Sequence, residues 1–488
     1  MVEEEEKGHT RTLVLMVCSA AIGGTLQYGY NIAIINAPTA FIQRFINETC
    51  RERWDVQLDF YQVTLVWTLV VSAFSLGGLT GALAGGPMAV FLGRKRALLA
   101  NNIFLLASAA LVLSCQAAGS FEMLILARFL VGVNSGVSMS VQPMYFSESA
   151  PMRLRGVVSL SSAVFTALGV VLGQVVGLTD VLGSEPQWSY LLASNAVPGL
   201  LQLLTLPWFP ESPRYLLIDR GDREACVLAL RRLRGRPVQD SELEEMLQEQ
   251  AMAGEEARAL RPCELLSHRG LRRQLFSVMT TSSAIQLCGN DCIYFYAFYV
   301  FQEVGVANSR IQYATIGTGA CELLSSIASS LLIERLGRRP LLVGGYAFMA
   351  GWAAVFTLAL TLQGTVPGMP YLSMACVFAY ILSFGMGPAG VTMILPAEVF
   401  GQTARPSAYM ISGALMWLNL FLVSMIFPFL VSGLGSFCFV PFGTICLLSS
   451  LYVAAMLPET KGKSLREITD EFDKLNLRSG REAASSQE

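Results

Sequence analysis

The stretch Pro210-Glu-Ser-Pro-Arg-Tyr-Leu-Leu217, PESPRYLL, stands where a long apolar run ends, and a close copy, PETKGKSL, begins at Pro458 where another one ends. Working outward from this pair, other phrases recur. LGRKR from Leu92 returns as LGRRP from Leu336, and YFSESAPMRLRG from Tyr145 is echoed by LPAEVFGQTARPS from Leu395. Gly93 and Gly337 are 244 positions apart, Glu148 and Glu398 are 250 apart, and Glu211 and Glu459 are 248 apart. Chance matches would scatter, whereas one offset of about half the chain is what a duplicated unit leaves behind.

Composition says what is duplicated. Hydrophobic residues make up 53% of the 488 and charged residues only 14%, and the charges are clustered rather than spread over amphipathic faces. That is the composition of a membrane protein. A helix crossing the hydrocarbon core needs about 20 apolar residues, and twelve stretches qualify: 13–36, 63–90, 98–117, 121–146, 157–179, 188–209, 274–302, 311–333, 341–362, 371–396, 408–433 and 437–457. An even number puts both termini on one side. With the termini inside, inner segments hold 29 of the 34 Lys and Arg, outer loops hold Arg44, Arg51, Arg53 and Arg310, and Arg128 lies within a span. Basic residues flanking spans are retained in the cytoplasm, so both termini are expected there.

The expected fold is an all-α membrane protein of twelve transmembrane helices in two pseudo-symmetric six-helix bundles. Its parts are a cytoplasmic N-terminus (1–12), a first bundle (13–209), a cytoplasmic helical linker (210–273), a second bundle (274–457) and a cytoplasmic tail (458–488). Parallel repeats of this kind serve alternating access in transporters. The linker phrases DREACVLALRRLRG and SELEEMLQEQ have amphipathic helical spacing, Ser464-Leu-Arg-Glu467 has the spacing of a capping box, and the final RSGREAASSQE reads as disordered. MVEEEEKGHTR offers no cleavage site, so no signal peptide is expected.

Every repeated phrase falls at the inner membrane face and brings charges of both signs: Arg94, Glu148, Arg155 and Glu211 in one half, Arg338, Glu398, Arg405 and Glu459 in the other. Guanidinium–carboxylate bonds at partly screened helix ends can form a cytoplasmic gate that clasps the inner ends of the halves. The plain alternative is helix caps and topology signals. Asn47-Glu-Thr49 is a glycosylation sequon in the first outer loop. Eleven cysteines lack metal-ligand spacing and imply neither a metal site nor a disulfide framework. No GxxxxGK[ST] loop is present, so no nucleotide or other cofactor is expected, and nothing points to nucleic acid. Gly77, Gly81 and Gly85 are spaced for close helix approach.

Taken together, QYGYNIAIINAP from Gln27, LGRKR, PMYFSESAPMRLRG, PESPRYLL, IERLGRRP, PAEVF and PETKG resemble the facilitative hexose transporters, the sugar-porter branch of the major facilitator superfamily. The similarity covers nearly the whole chain. It implies a multi-pass plasma-membrane uniporter, not an enzyme, moving hexoses by alternating access, with membrane lipid and a hexose (fructose or glucose) as its partners. The chain is most similar to the fructose-handling class: Met393 stands where glucose-type members carry Trp, and Ile293 ends a triplet linked to fructose acceptance. Sugar-binding positions carried over from the family are Tyr28, Asn31, Gln286, Asp291, Glu322 and Trp417. Amides, hydroxyls and one aromatic face suit a neutral polyol. Ordinary packing or interhelical bonding is the competing account of each.

Four positions depart from the family pattern: Ala163 and Ile285 replace glutamines, and Asp291 and Glu322 replace asparagines. Buried carboxyls are costly in a membrane, so they are protonated, paired or wetted. They keep a proton-coupled symporter open as an alternative, although related symporters carry Asp where this chain has Asn31, and an amide does not titrate. A transporter-like sugar sensor is a further alternative, for which the stretch after Pro458 is short.

Overall fold

Asp59 opens one long helix with a reciprocal cap: its carboxylate accepts the Gln62 N–H at 2.8 Å while the Gln62 side chain accepts the Asp59 N–H at 3.1 Å. The helix that follows, Phe60–Leu92, runs 33 residues. At 1.5 Å per residue that is about 50 Å, enough to cross a bilayer at a tilt. The structure is a computed structural model. It describes residues 2–151, 154–235, 242–244, 246–247, 260–401, 404–463, 467–472 and 474, the side chains of 2–10, 155, 156 and 269 excepted.

Among the described residues all regular structure is helical. Ten helices among these residues are long and apolar enough to cross a membrane: Arg11–Ala33, Phe60–Leu92, Arg94–Cys115, Phe121–Ser149, Val157–Val176, Glu185–Trp208, Asn308–Leu336, Arg338–Thr361, Met369–Val399 and Arg405–Phe437. The shorter apolar helix Val440–Met456 is the twelfth span. The seventh is broken into Arg272–Leu287, Asn290–Phe295 and Ala297–Val304. Each falls on one of the twelve expected stretches. A further helix, Thr39–Trp54, lies between the first and second spans.

The chain forms two compact units, Met1–Arg258 with Tyr294–Phe298 and Leu420–Pro428, and Ala259–Ile293 with Tyr299–Asn419 and Phe429–Glu488. In the first, the second span packs on the fourth, the third on the fourth, and the third on the sixth; in the second, the eighth packs on the tenth, the ninth on the tenth, and the ninth on the twelfth. The duplication read from the phrases is therefore repeated in the helix pairings.

Lipid is as apolar as leucine, so spans associate by close packing. Between the second and fourth spans that packing depends on glycine. A Cβ at Gly77 would lie 1.9 Å from the Phe129 carbonyl oxygen and one at Gly81 2.3 Å from that of Val133. In the linker, Arg223–Arg234 is a helix whose Cys226 and Leu230 pack with Leu217 and Met246. The rest of SELEEMLQEQ, the start of the expected capping box at Ser464 and the final residues lie outside the described residues.

Candidate functional site

The repeated phrases build the same object twice. Gly93 and Gly337 end the second and eighth spans with φ of +97° and +90°, a region that favours glycine. A Cβ would meet Glu211 Oε2 at 2.7 Å in one copy and Glu459 Oε2 at 2.6 Å in the other. Each carboxylate thereby reaches the N-terminus of the next helix. Glu211 accepts the Lys95 N–H at 2.8 Å, and Glu459 accepts the Arg338 and Arg339 N–H groups at 2.9 and 3.0 Å. The arginine after the glycine pairs with the fourth- or tenth-span carboxylate: Arg94 Nη2 to Glu148 at 2.9 Å, Arg338 Nη2 to Glu398 at 2.8 Å. The residue after Pro-Glu completes the set, as Ser212 donates to Glu148 and Thr460 donates to Glu398 at 2.5 Å. Each of these pairs closes inside its own unit.

Additions differ between the copies. Arg94 also reaches Asp219 at 2.6 Å and lies 4.8 Å from the Tyr215 ring centroid, while Arg338 reaches Glu334 at 3.2 Å. Burial works to raise the Glu459 carboxyl, but the N–H groups of Arg338, Lys461, Arg339 and Thr460 outweigh it and hold it below the usual carboxylate range. Arg405 is half-buried and donates to the Phe400 carbonyl at 3.3 Å. The side chain of Arg155 lies outside the described residues.

In the first unit a buried polar network surrounds Asn31. Its amide donates to the Gln27 carbonyl at 2.8 Å and to the Gln27 side chain at 3.1 Å, and its oxygen accepts from Asn195 at 3.0 Å. These protein groups engage both donors and the acceptor. Arg128, 3% exposed, donates Nη1 to the Asn31 carbonyl at 3.0 Å and lies 4.9 Å from the Phe74 ring centroid. Its Nε and Nη2 find no hydrogen-bond partner among the described residues. Tyr28 is buried and stacks on Phe74 at 6.1 Å.

In the second unit Gln286, Asp291, Ile293, Glu322 and Trp417 are all buried. Asp291 follows the break in the seventh span, where Gly289 takes φ +77° and the Cys288 carbonyl accepts from Tyr380 at 2.6 Å. Met393 is half-buried in the segment Pro388–Val399, and its carbonyl accepts from Tyr409 at 3.1 Å. Asn47 lies on the helix Thr39–Trp54; its Oδ1 accepts the Leu58 N–H at 3.1 Å, which leaves its Nδ2 out of that bond. All eleven cysteines are free thiols.

The residues that sequence reading missed are amides that repair broken helices. The first span breaks at Gly23-Gly24, and Gln142 from the fourth span accepts the freed Thr25 N–H at 2.9 Å while donating to the Thr25 and Ser162 hydroxyls at 3.0 and 3.1 Å. Gln202 donates to the Ala20 carbonyl at 2.7 Å and accepts from Asn102 at 2.7 Å. Paired glycines inside an apolar run were the available signal.

A family model described as "Sugar (and other) transporter" matches residues 16–472. The chain is 56% identical over 467 residues, covering 96% of it and 94% of the relative, to facilitated glucose transporter member 11 of solute carrier family 2 from Homo sapiens. It is 42% identical over 466 residues to member 9 from Mus musculus, covering 95% of this chain and 86% of that one. Among solved structures, the major facilitator proton:xylose symporter XylE bound to 6-bromo-6-deoxy-D-glucose matches 95% of this chain and 100% of its own with a TM-score of 0.81 at 23% identity.

Proposed function

The chain belongs to the sugar transporter family and, within it, to solute carrier family 2, and from that premise we propose that it is a facilitative uniporter of hexoses, fructose or glucose, working by alternating access. The proposal includes residence in the plasma membrane with both termini cytoplasmic, which the distribution of Lys and Arg supports. Asn47 on the opposite side is then accessible to glycosylation. Tyr28, Asn31, Gln286, Asp291, Glu322 and Trp417 are the proposed sugar contacts, with Ile293 and Met393 as selectivity positions. Asn31 would exchange one of its protein bonds for a sugar hydroxyl. The duplicated charged clusters, including Arg155 and Arg405, are the proposed cytoplasmic gate.

One observation carries the choice of uniport: the buried position beside Arg128 is an amide whose donors and acceptor are all engaged by neighbours. It has no proton to exchange. The burial of Asp291 and Glu322 favours the second reading, proton-coupled symport, since a buried carboxyl is the group a proton cycle needs. Flux of labelled fructose and glucose into vesicles holding the purified protein separates the two. Uniport predicts equilibration with either pH gradient and no accumulation beyond it.

A further inference from the structure

In the second unit a cavity of about 470 Å³ opens between the start of the seventh span, the end of the twelfth and the segment 467–472. Two chemistries meet in it. Arg272 and Arg273 stand at one side, while Phe276, Met279, Met456 and Phe472 form apolar walls. Among the described residues no acidic side chain lines it. The nearby Glu471 is paired with Lys463 at 2.6 Å, so its charge does not neutralise the arginines. Arg273 Nη1 is buried without a hydrogen-bond partner among the described residues, a cost that an acceptor in the cavity would remove.

The apolar part is built rather than incidental. Phe276 packs edge-on against Tyr452 at 5.8 Å, and the Tyr452 hydroxyl is within 3.1 Å of the Ser277 hydroxyl, so one wall is fixed by ring packing and a hydrogen bond. Phe472, 2% exposed, lines the cavity from the segment after the twelfth span, where Thr469 accepts from Gln274 at 3.4 Å. Phe276 on the seventh span is 57% exposed and Leu266 on the preceding helix Pro262–Ser267 51%, an apolar rim to the cavity.

We propose that this cavity binds one anionic glycerophospholipid, its phosphate on Arg272 and Arg273 and its first acyl carbons against Phe276, Met279 and Met456. A soluble anion would satisfy the guanidiniums and leave the apolar rim in water; a zwitterionic lipid would satisfy the rim but bring a phosphate whose charge its own ammonium already balances. An anionic lipid does both, and basic pockets between spans on the cytoplasmic side are where such headgroups are held. Placement at the cytoplasmic leaflet rests on the orientation given under Proposed function; binding itself does not.

The test uses the purified full chain in neutral detergent, with dioleoylphosphatidylglycerol, dioleoylphosphatidylcholine or inorganic phosphate added, read by native mass spectrometry and by melting temperature. The expected result is one retained phosphatidylglycerol with a rise in melting temperature that phosphatidylcholine does not give. In R272Q/R273Q the affinity for it falls about tenfold or more. Met279→Trp fills the acyl side, leaves both charges and weakens lipid retention, so it decides the matter if the double variant does not fold. Equal retention of both lipids, undiminished binding in folded R272Q/R273Q, or inorganic phosphate displacing the lipid and reproducing the shift would each overturn the proposal. Hexose flux in the same preparations keeps the two readings apart: flux without lipid selectivity sinks this inference alone, and lipid selectivity without flux sinks the transport reading alone.

Discussion

At the scale of single residues, the glycine, arginine, glutamate and hydroxyl positions that the two copies share each have a partner that explains their type. Glycine lets a carboxylate approach the helix start, arginine reaches across to a second carboxylate, and a hydroxyl finishes that carboxylate's coordination. Glu398→Gln leaves Arg338, whose side chain is 10% exposed, short of its main anion. We expect a loss of about 1–3 kcal/mol, less for Thr460→Ala, measured as melting temperature in detergent. Glu459 gives a pH signature. Folded, it keeps its charge to lower pH than it does unfolded. Its contribution is therefore complete above the unfolded value of about 4.3 and fades as pH falls through the folded value. Melting curves of Glu459→Gln should be flatter over that acid range than those of the parent chain. A parallel pH dependence in both would remove Glu459 from this role.

At the scale of elements, apolar length placed the spans well, because roughly 20 consecutive apolar residues leave little choice in a membrane. Hydropathy is blind to where a span breaks. The seventh span reads as one apolar run, yet it is three helices: Gly289 at φ +77° interrupts it once and a turn at Tyr296 interrupts it again. The helix Thr39–Trp54 between the first two spans escapes hydropathy for the opposite reason, as its polar face gives no apolar run. Gln142 shows why such breaks persist: a side-chain amide takes over a backbone N–H. Gln142→Leu should cost about 1–3 kcal/mol by leaving the buried Thr25 N–H without an acceptor. The check is thermal stability, and Gln142→Glu should recover part of the loss. Gly77→Leu, with its Cβ 1.9 Å from the Phe129 oxygen, should fail to yield folded protein in a detergent-extraction assay.

At the scale of the whole molecule, the duplication was legible because one offset joined three phrases, and the helix pairings in the two units repeat it. The candidate sugar residues were legible only through family resemblance; an apolar run carries no mark that one of its amides meets a ligand. Burial locates Asp291 and Glu322 inside the second unit and leaves their chemistry to experiment. A carboxylate accepts hydrogen bonds and cannot donate them. Asp291→Asn with Glu322→Asn should therefore alter the ranking of fructose, glucose and other polyols in competition uptake, by up to about 1–3 kcal/mol, normalised to protein at the membrane. An unchanged ranking would assign both acids to structural pairing.

The most direct measurement of the central claim is uptake of labelled fructose and glucose into sealed vesicles containing the purified protein, with and without an imposed proton gradient. The account predicts that hexose equilibrates across the membrane, faster than in empty vesicles, and stops at equal concentrations whichever way the gradient points. Accumulation above the external concentration that collapses when a protonophore is added would contradict it.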